Sequence, residues 1–265
     1  MTILQAYPDS EESYLYIFNG MSVFLRRSFY AEVHKHHAIQ IVISLQNVFS
    51  LICNNIQKEY DAVVIPPDQM HQIKESDGWH ATLHIEPESL VGRNLISYLA
   101  LSEHAVSIST EELSAFKLDL LKHLRAPSNF LKLEAKTTAF IESISKKVIL
   151  APIDGRVRRV LELIKCRSVN ENFREASFSE IPLSRSRLAH LFVSQTGIPI
   201  SRYILWVKIK IAIESTLEGC SLTDSAHIAG FSDLSHLSRT FKGMFGSTMS
   251  DLFHNKATIR VFYRR

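Results

Sequence analysis

Cysteine is scarce in this chain. The three present, Cys53, Cys166 and Cys220, are an odd number without CxxC spacing. That excludes a disulfide framework and a zinc ribbon, and reduced thiols of a cytoplasmic protein are the expectation. Nine glycines and eight prolines are too few for a collagen-like or low-complexity chain. Long apolar runs are missing as well. The greasiest stretch, residues 38–53, is broken by Gln40, Ser44, Gln46, Asn47 and Ser50, well short of the ~20 apolar residues that a membrane span needs. The first dozen residues carry neither a basic nor an apolar segment, so neither a secretory leader nor a membrane partner is expected. No P-loop, dinucleotide fingerprint or Ser/His/Asp arrangement is legible. The expectation is therefore a non-enzyme with no catalytic residue, no cofactor and no bound metal.

What is present is ordinary globular material. The 265 residues are 46% hydrophobic and 22% charged, enough to bury real cores, and the length suits two domains at roughly 100–200 residues each. The net charge of +3 is an average of two unlike halves. Residues 1–153 hold 13 Lys and Arg against 17 Asp and Glu, a balance of −4, whereas residues 154–265 hold 17 against 10, a balance of +7. A nucleic-acid-binding half joined to a non-binding half shows this asymmetry, as does a chance imbalance of surface charge.

The hydrophobic period changes along the chain as well. Residues 14–18, 22–27, 39–45, 48–53, 61–65 and 80–85 are short runs rich in β-branched and aromatic residues. Turn-like Asn19-Gly20, Asn54-Asn55, Pro66-Pro67-Asp68 and Asp77-Gly78 lie among them, the spacing of a small antiparallel barrel or sandwich. After Pro87 apolar residues recur every three to four positions, which predicts three helices over residues 88–150. Residues 151–155 form the joint, and from 154 onward the pattern is helical, with a strand only at the tail. The reading is α+β: a sheet-rich domain over 1–150, with strands to about 86, and an all-α domain over 154–265.

The helical half repeats itself. A shift of 49 residues lays Leu188 on Leu237, Phe192 on Phe241 and Gly197 on Gly246, the trace of two copies of one helical unit. Ser184 caps one copy and Ser232 or Asp233 the other. In each copy one stripe is apolar and the other polar. Arg185, Ser186, Arg187 and His190 face outward in the first; Leu234, Ser235, His236, Arg239 and Lys242 do so in the second. Hydroxyls, His and Arg on an exposed face suit base edges and phosphates, against the plain alternative of a solvated face. Between the copies, residues 199–217 are apolar nearly all round, which predicts a buried helix.

Ahead of the second copy, Ser221 and Asp224 have capping-box spacing, Ala226 and Ala229 allow close helix approach, and Gly230 suits a tight turn, a helix-turn-helix pattern. With Phe231, Ser235, Arg239, Phe241-Lys242 and Gly246, this resembles the AraC/XylS family of bacterial transcription regulators. The first motif, Ser184 to Phe192 with Gly197 and Tyr203, fits too. Ile181-Pro182, Ser225, Met249 and Leu252-Phe253 depart from the family pattern. The resemblance implies two helix-turn-helix motifs joined by a long helix and entering adjacent major grooves of double-stranded DNA. It also implies an N-terminal cupin-like β-barrel with flanking helices that senses a small effector and controls dimerisation or placement of the motifs. A homodimer through the helices at about 111–124 or 129–149, and RNA polymerase, stay open as further partners.

His34, His36 and Gln40, followed by His71, are similar to the cupin pattern H-x-H-x(3)-E and P-x-G-x-x-H. Gln40 stands in place of the anionic ligand and Asp68 in place of the turn glycine. The resemblance implies an organic effector touching His34, His36, Gln40 and His71, with Arg26 and Trp79 joining if their strands point inward. For His34, His36, His71, His80 and His84 the plain alternative is a partly buried barrel residue. Two other functions stay open: a metal-dependent cupin enzyme fused to a DNA-binding module, and a DNA-binding dimer without effector.

Overall fold

A computed structural model of the chain describes residues 12–99, 104–127, 129–145, 151–167, 178, 180–250 and 259–263. They fall into two compact units. One draws on the ranges Met1–Val33, Ala38–Ile149 and Asn255–Arg265, the other on His34–His37 and Leu150–His254.

The first unit is sheet-rich. Its strands are β1 (Ser13–Phe18), β2 (Met21–His34), β3 (Ile39–Ser44), β4 (Phe49–Cys53), β5 (Ile56–Tyr60), β6 (Ala62–Ile65), β7 (His71–Ile85), β8 (Val106–Ser107) and β9 (Ile259–Tyr263), ordered β8-β6-β3-β7-β2-β1-β9 with β4 and β5 branching from β7. β7 changes partner along its length. Its start pairs with β4, Cys53 opposite His71, and its end with β3, Ser44 opposite His80, so the sheet doubles back over itself. The two faces of β3 bury different sets. Ile39, Ile41 and Ile43 join a large core with Val23, Leu25, Trp79, Leu83 and the helices, while Val42 joins Ala31, Phe49, Leu51, Val63, Ile65 and Ile73 inside the fold.

Three helices complete this unit, α1 (Leu90–Leu99), α2 (Glu111–Arg125) and α3 (Phe130–Ser145). They match the three expected from the period, apart from the expected Val148, which lies outside the described residues. Thr110 caps α2 by accepting from the Leu113 amide, and Phe116 and Phe140 stack at 4.4 Å to join α2 and α3. The tail strand is present as β9.

The second unit is helical: α4 (Gly155–Arg167), α5 (Arg185–Thr196), α6 (Ile200–Leu217), α7 (Leu222–Ile228) and α8 (Leu234–Phe245). α6 touches the other four. It buries Tyr203, Trp206, Ile209, Ala212 and Thr216, as a helix with so little polar surface must. Ser225, which stands where an apolar core residue is usual, is fully buried, and the Thr216 hydroxyl donates to it at 2.9 Å. The pair satisfies both hydroxyls, so the substitution carries no unsatisfied polar group. Among the described residues no helix is long and apolar enough to cross a membrane.

Candidate functional site

The α5 and α8 helices are built alike. Ser184 caps α5 by accepting from the Arg187 amide, and Gly197 ends it at φ 81°. Asp233, rather than Ser232, caps α8 by accepting from the His236 amide at 2.7 Å, and Gly246 ends it at φ 69°. That amide bond holds the Asp233 carboxyl below its usual pKa, keeping it charged where the helix dipole is positive. Each helix buries the expected pair, Leu188 and Phe192 in α5, Leu237 and Phe241 in α8.

The outward faces follow. Arg185, Ser186, Arg187 and His190 are all exposed, and so are Ser235, Arg239 and Lys242. Two residues of the expected set sit lower. Leu234 is half-buried and packs on the α6–α8 core. His236 is half-buried, edge-on to Phe231 at 5.2 Å, with its Nδ1 3.3 Å from the Ser232 hydroxyl. Within α5 and α8 there is no Asp or Glu; Asp233, at the cap of α8, is the acid that adjoins these faces.

The turn between α7 and α8 is held from below. Ser221 and Asp224 form the capping box that starts α7, the Asp224 amide donating to Ser221 Oγ at 3.1 Å. Gly230 takes φ 73°, and the Phe231 amide donates to the Ala226 carbonyl at 2.9 Å. Lys208, from the middle of α6, donates through Nζ to the Gly230 carbonyl and lies 5.8 Å from the Phe231 ring centre. Burial pushes its pKa down. In the sequence Lys208 is part of a helical segment, and nothing there distinguishes it from Lys210 among the same isoleucines. At the other end of the unit, Asp154 starts α4 by accepting from the Arg156 amide at 2.8 Å. Gln195 of α5 accepts from the Asp154 amide at the same distance.

In the sheet unit a polar layer lies among the inner apolar residues. Gln40 opposes His84, Val42 opposes Thr82, and Ser44 opposes His80. Residues opposed across an antiparallel pair share a face, here the one that carries Val42. His80 is fully buried. Its Nδ1 lies 2.9 Å from the Gly78 carbonyl, which only an N–H can serve, so Nε2, 3.2 Å from Ser76 Oγ, is the accepting nitrogen. Burial, reinforced by nearby Arg26, pushes the His80 pKa down to about 4. Arg26 itself is pushed down to about 10 by burial, with its guanidinium donating to the Tyr30 carbonyl at 3.2 Å. The Thr82 hydroxyl is buried without a hydrogen-bond partner among the described residues.

The expected effector set is thus distributed. Arg26 and Gln40 belong to the sheet unit, near or within this layer, with His80 and His84, which the sequence offered as barrel residues, and Thr82, which it did not single out. Trp79 is one residue from His80 and so projects to the opposite face, into the core shared with the helices, stacked on Tyr14 at 6.3 Å. His71 opens β7, buried, its Nδ1 2.9 Å from the Gln69 carbonyl. His34 and His36 fall in the helical unit, their rings 5.6 Å apart. There the His36 ring lies 6.2 Å from that of Phe245, and His37 meets Tyr203 and Trp206 edge-on.

Comparison with known proteins agrees with this construction. Residues 179–255 match the family of helix-turn-helix domains. Over 92 residues the chain is 34% identical to the transcriptional activator RhrA of Rhizobium meliloti (strain 1021); the match takes in 32% of this chain and 29% of that one, so the chain spans under a third of its curated relative. Among solved structures, ToxT from Vibrio cholerae O395 superimposes with a TM-score of 0.59 at 14% identity, covering 89% of this chain and 98% of ToxT. ToxT from strain SCE256 with bound unsaturated fatty acid gives 0.56 at 16% identity, covering 91% and 96%. At such identity the likeness establishes the shared fold alone. The matched domain and the paired motifs show a helix-turn-helix domain over residues 179–255, and the superposition shows that the chain shares the α+β fold of ToxT.

Proposed function

We propose that the chain is a cytoplasmic transcription regulator, not an enzyme, that binds double-stranded DNA through α5 and α8 and senses a small effector in its sheet unit. The observation that carries the reading is the matched pair of capped helices, each presenting basic and hydroxyl side chains with no acid beyond the Asp233 cap, in a segment of balance +7. Arg185, Ser186, Arg187 and His190 serve one groove segment. Leu234, Ser235, His236, Arg239 and Lys242 serve the next, with the half-buried Leu234 and His236 contributing less contact than the rest. The test is duplex binding by the full chain across a salt series. Affinity is expected to fall with a log–log slope of about −0.9 per phosphate neutralised. Binding that is absent, or indifferent to salt, would sink the proposal.

The effector is a small organic acid. ToxT has been crystallised with an unsaturated fatty acid and with a naphthalenyl butenoic acid, both carboxylates. A half-buried Arg26 near neutral His80, in a layer that also holds Gln40 and the Thr82 hydroxyl, offers a carboxylate one cation and several hydrogen bonds. His71, of the same unit, is assigned to the proposed set as well, whereas Trp79, which projects to the opposite face of the sheet, is not. Native mass spectrometry of the full chain, titrated with short and long carboxylic acids, checks this; an Arg26→Gln chain that binds them equally well refutes the role of Arg26. Dimerisation is assigned to α2 and α3, whose Leu118 and Leu131 are exposed, and RNA polymerase is the remaining macromolecular partner.

A further inference from the structure

The strand β9 follows the helical unit in sequence yet belongs to the sheet unit. It pairs in parallel with β1, Ser13 opposite Ile259 through Ile17 opposite Tyr263. A parallel neighbour requires a crossover of a dozen or more residues; here the crossover includes the whole of α4 to α8. The helical unit is therefore covalently continuous with the sheet unit at both ends, through the residues before α4 and those after α8.

The seat of β9 is specific. Ile259, Val261 and Phe262 are half-buried. Phe262 stacks on Tyr16 with ring centres 4.7 Å apart and planes 6° from parallel, and Arg260 pairs with Glu12 at 2.8 Å. Tyr16 is fully buried and looks the other way into α2. Its hydroxyl accepts from His123 Nε2 at 2.8 Å and donates to the Pro127 carbonyl at 3.3 Å. Without β9, the strand β1 would be a sheet edge with an open row of amides and carbonyls, and the Tyr16 ring would lose the cover of Phe262.

We propose that Ile259–Tyr263 is a releasable clasp: seated on β1 it gives the helical unit a second anchor that restrains its engagement of DNA, and its release lifts that restraint. The caps and buried pairs that set the faces of α5 and α8 come from the helical unit itself, so the strand acts on binding through the tether. The restraint rests on the DNA-binding reading; the docking of the strand does not. A seated β9 also reports to α2, through Phe262, Tyr16 and His123 in turn.

The test compares the full chain with one lacking residues 258–265 and with Phe262→Ala, following amide exchange and duplex affinity together. Deletion is expected to speed exchange of the Ser13–Phe18 amides by about tenfold, with residues 120–125 of α2 following, while α6 to α8 stay protected. Phe262→Ala gives a smaller change in the same amides. Duplex affinity is expected to rise about threefold on deletion. A synthetic peptide of residues 256–265 added to the shortened chain restores protection of β1 but leaves the tighter duplex binding, because it carries no tether. Unchanged exchange at β1 overturns the docking. Duplex affinity that is unchanged or lower, with α6 to α8 still protected, overturns the restraint. Absence of duplex binding by every form removes the DNA reading and the restraint with it, while the exchange result still decides whether β9 docks.

Discussion

Burial decides the charge of His80. With its pKa held near 4 in the folded chain against about 6.5 in the unfolded one, His80 is neutral when folded and takes up a proton on unfolding below that higher value. The unfolded state then binds more protons, so stability is full above about pH 6.5 and falls toward pH 4, at up to about 1.4 kcal/mol per pH unit. Denaturant midpoints of the sheet unit, compared for the full chain and His80→Gln between pH 7 and 4.5, read this directly. The substituted chain is expected to lose less on acidification, and parallel curves would show that His80 titrates normally. On the other unit, Arg239 and Lys242 separate two kinds of contact. Arg239→Ala is expected to weaken a preferred duplex by about 1–3 kcal/mol and random duplex by less, whereas Lys242→Ala weakens both and lowers the salt slope by about one. Equal losses on both duplexes for Arg239 would make it a phosphate contact. Such residues were legible because a 49-residue repeat placed them in register on two exposed faces. Trp79 was not, since the period of two leaves open which face is inside, and one residue's shift exchanges the faces.

At the scale of elements, the turn that aims α8 depends on Lys208. Lys208→Met keeps an apolar stem beside Phe231 and removes the Nζ donor to the Gly230 carbonyl, so the expected cost is about 1–2 kcal/mol. Faster amide exchange at Gly230 and Phe231 should accompany it, with α4 and α5 unaffected. A stability loss without that local exchange would place the role of Lys208 elsewhere. This contact joins two segments 22 residues apart, and no local pattern announces it. The helices themselves were legible, because their caps and apolar stripes are local. Strand β5 was not: Ile-Gln-Lys-Glu-Tyr has almost no buried residue, and it is a strand because Asn54 and Asn55, at φ 52° and 59°, make the two-residue turn that pairs it with β4. The first half of β7 was missed for a related reason, being largely polar and stabilised by pairing rather than by its own alternation.

At the scale of the whole molecule, the change of period marks the passage from strands to helices after Pro87, and the charge split marks a joint at residues 151–155, because both follow from composition over long stretches. The return of the chain to its first unit through β9 was legible only as a strand without a partner, since the sequence around 259–263 does not say which edge it will meet. Assembly from two copies belongs to this scale too. Leu118 on α2 and Leu131 on α3 are 47% and 60% exposed, while the stripes that include Phe116, Leu120, Phe140 and Ile141 are spent on the core. Exposed leucines beside a filled core lose little when made polar, so a Leu118→Glu, Leu131→Glu chain should fold with unchanged helix content. If these positions join two copies, sedimentation of the full chain gives a dimer and that of the substituted chain a monomer. Linking two binding units in a dimer raises avidity for a two-site duplex by about 10²-fold or more without a new contact to DNA. The substituted chain should therefore lose that gain on the two-site duplex and bind a single-site duplex as before. A full chain that sediments as a monomer at micromolar concentration, or a substituted chain that stays dimeric, would move the interface off α2 and α3.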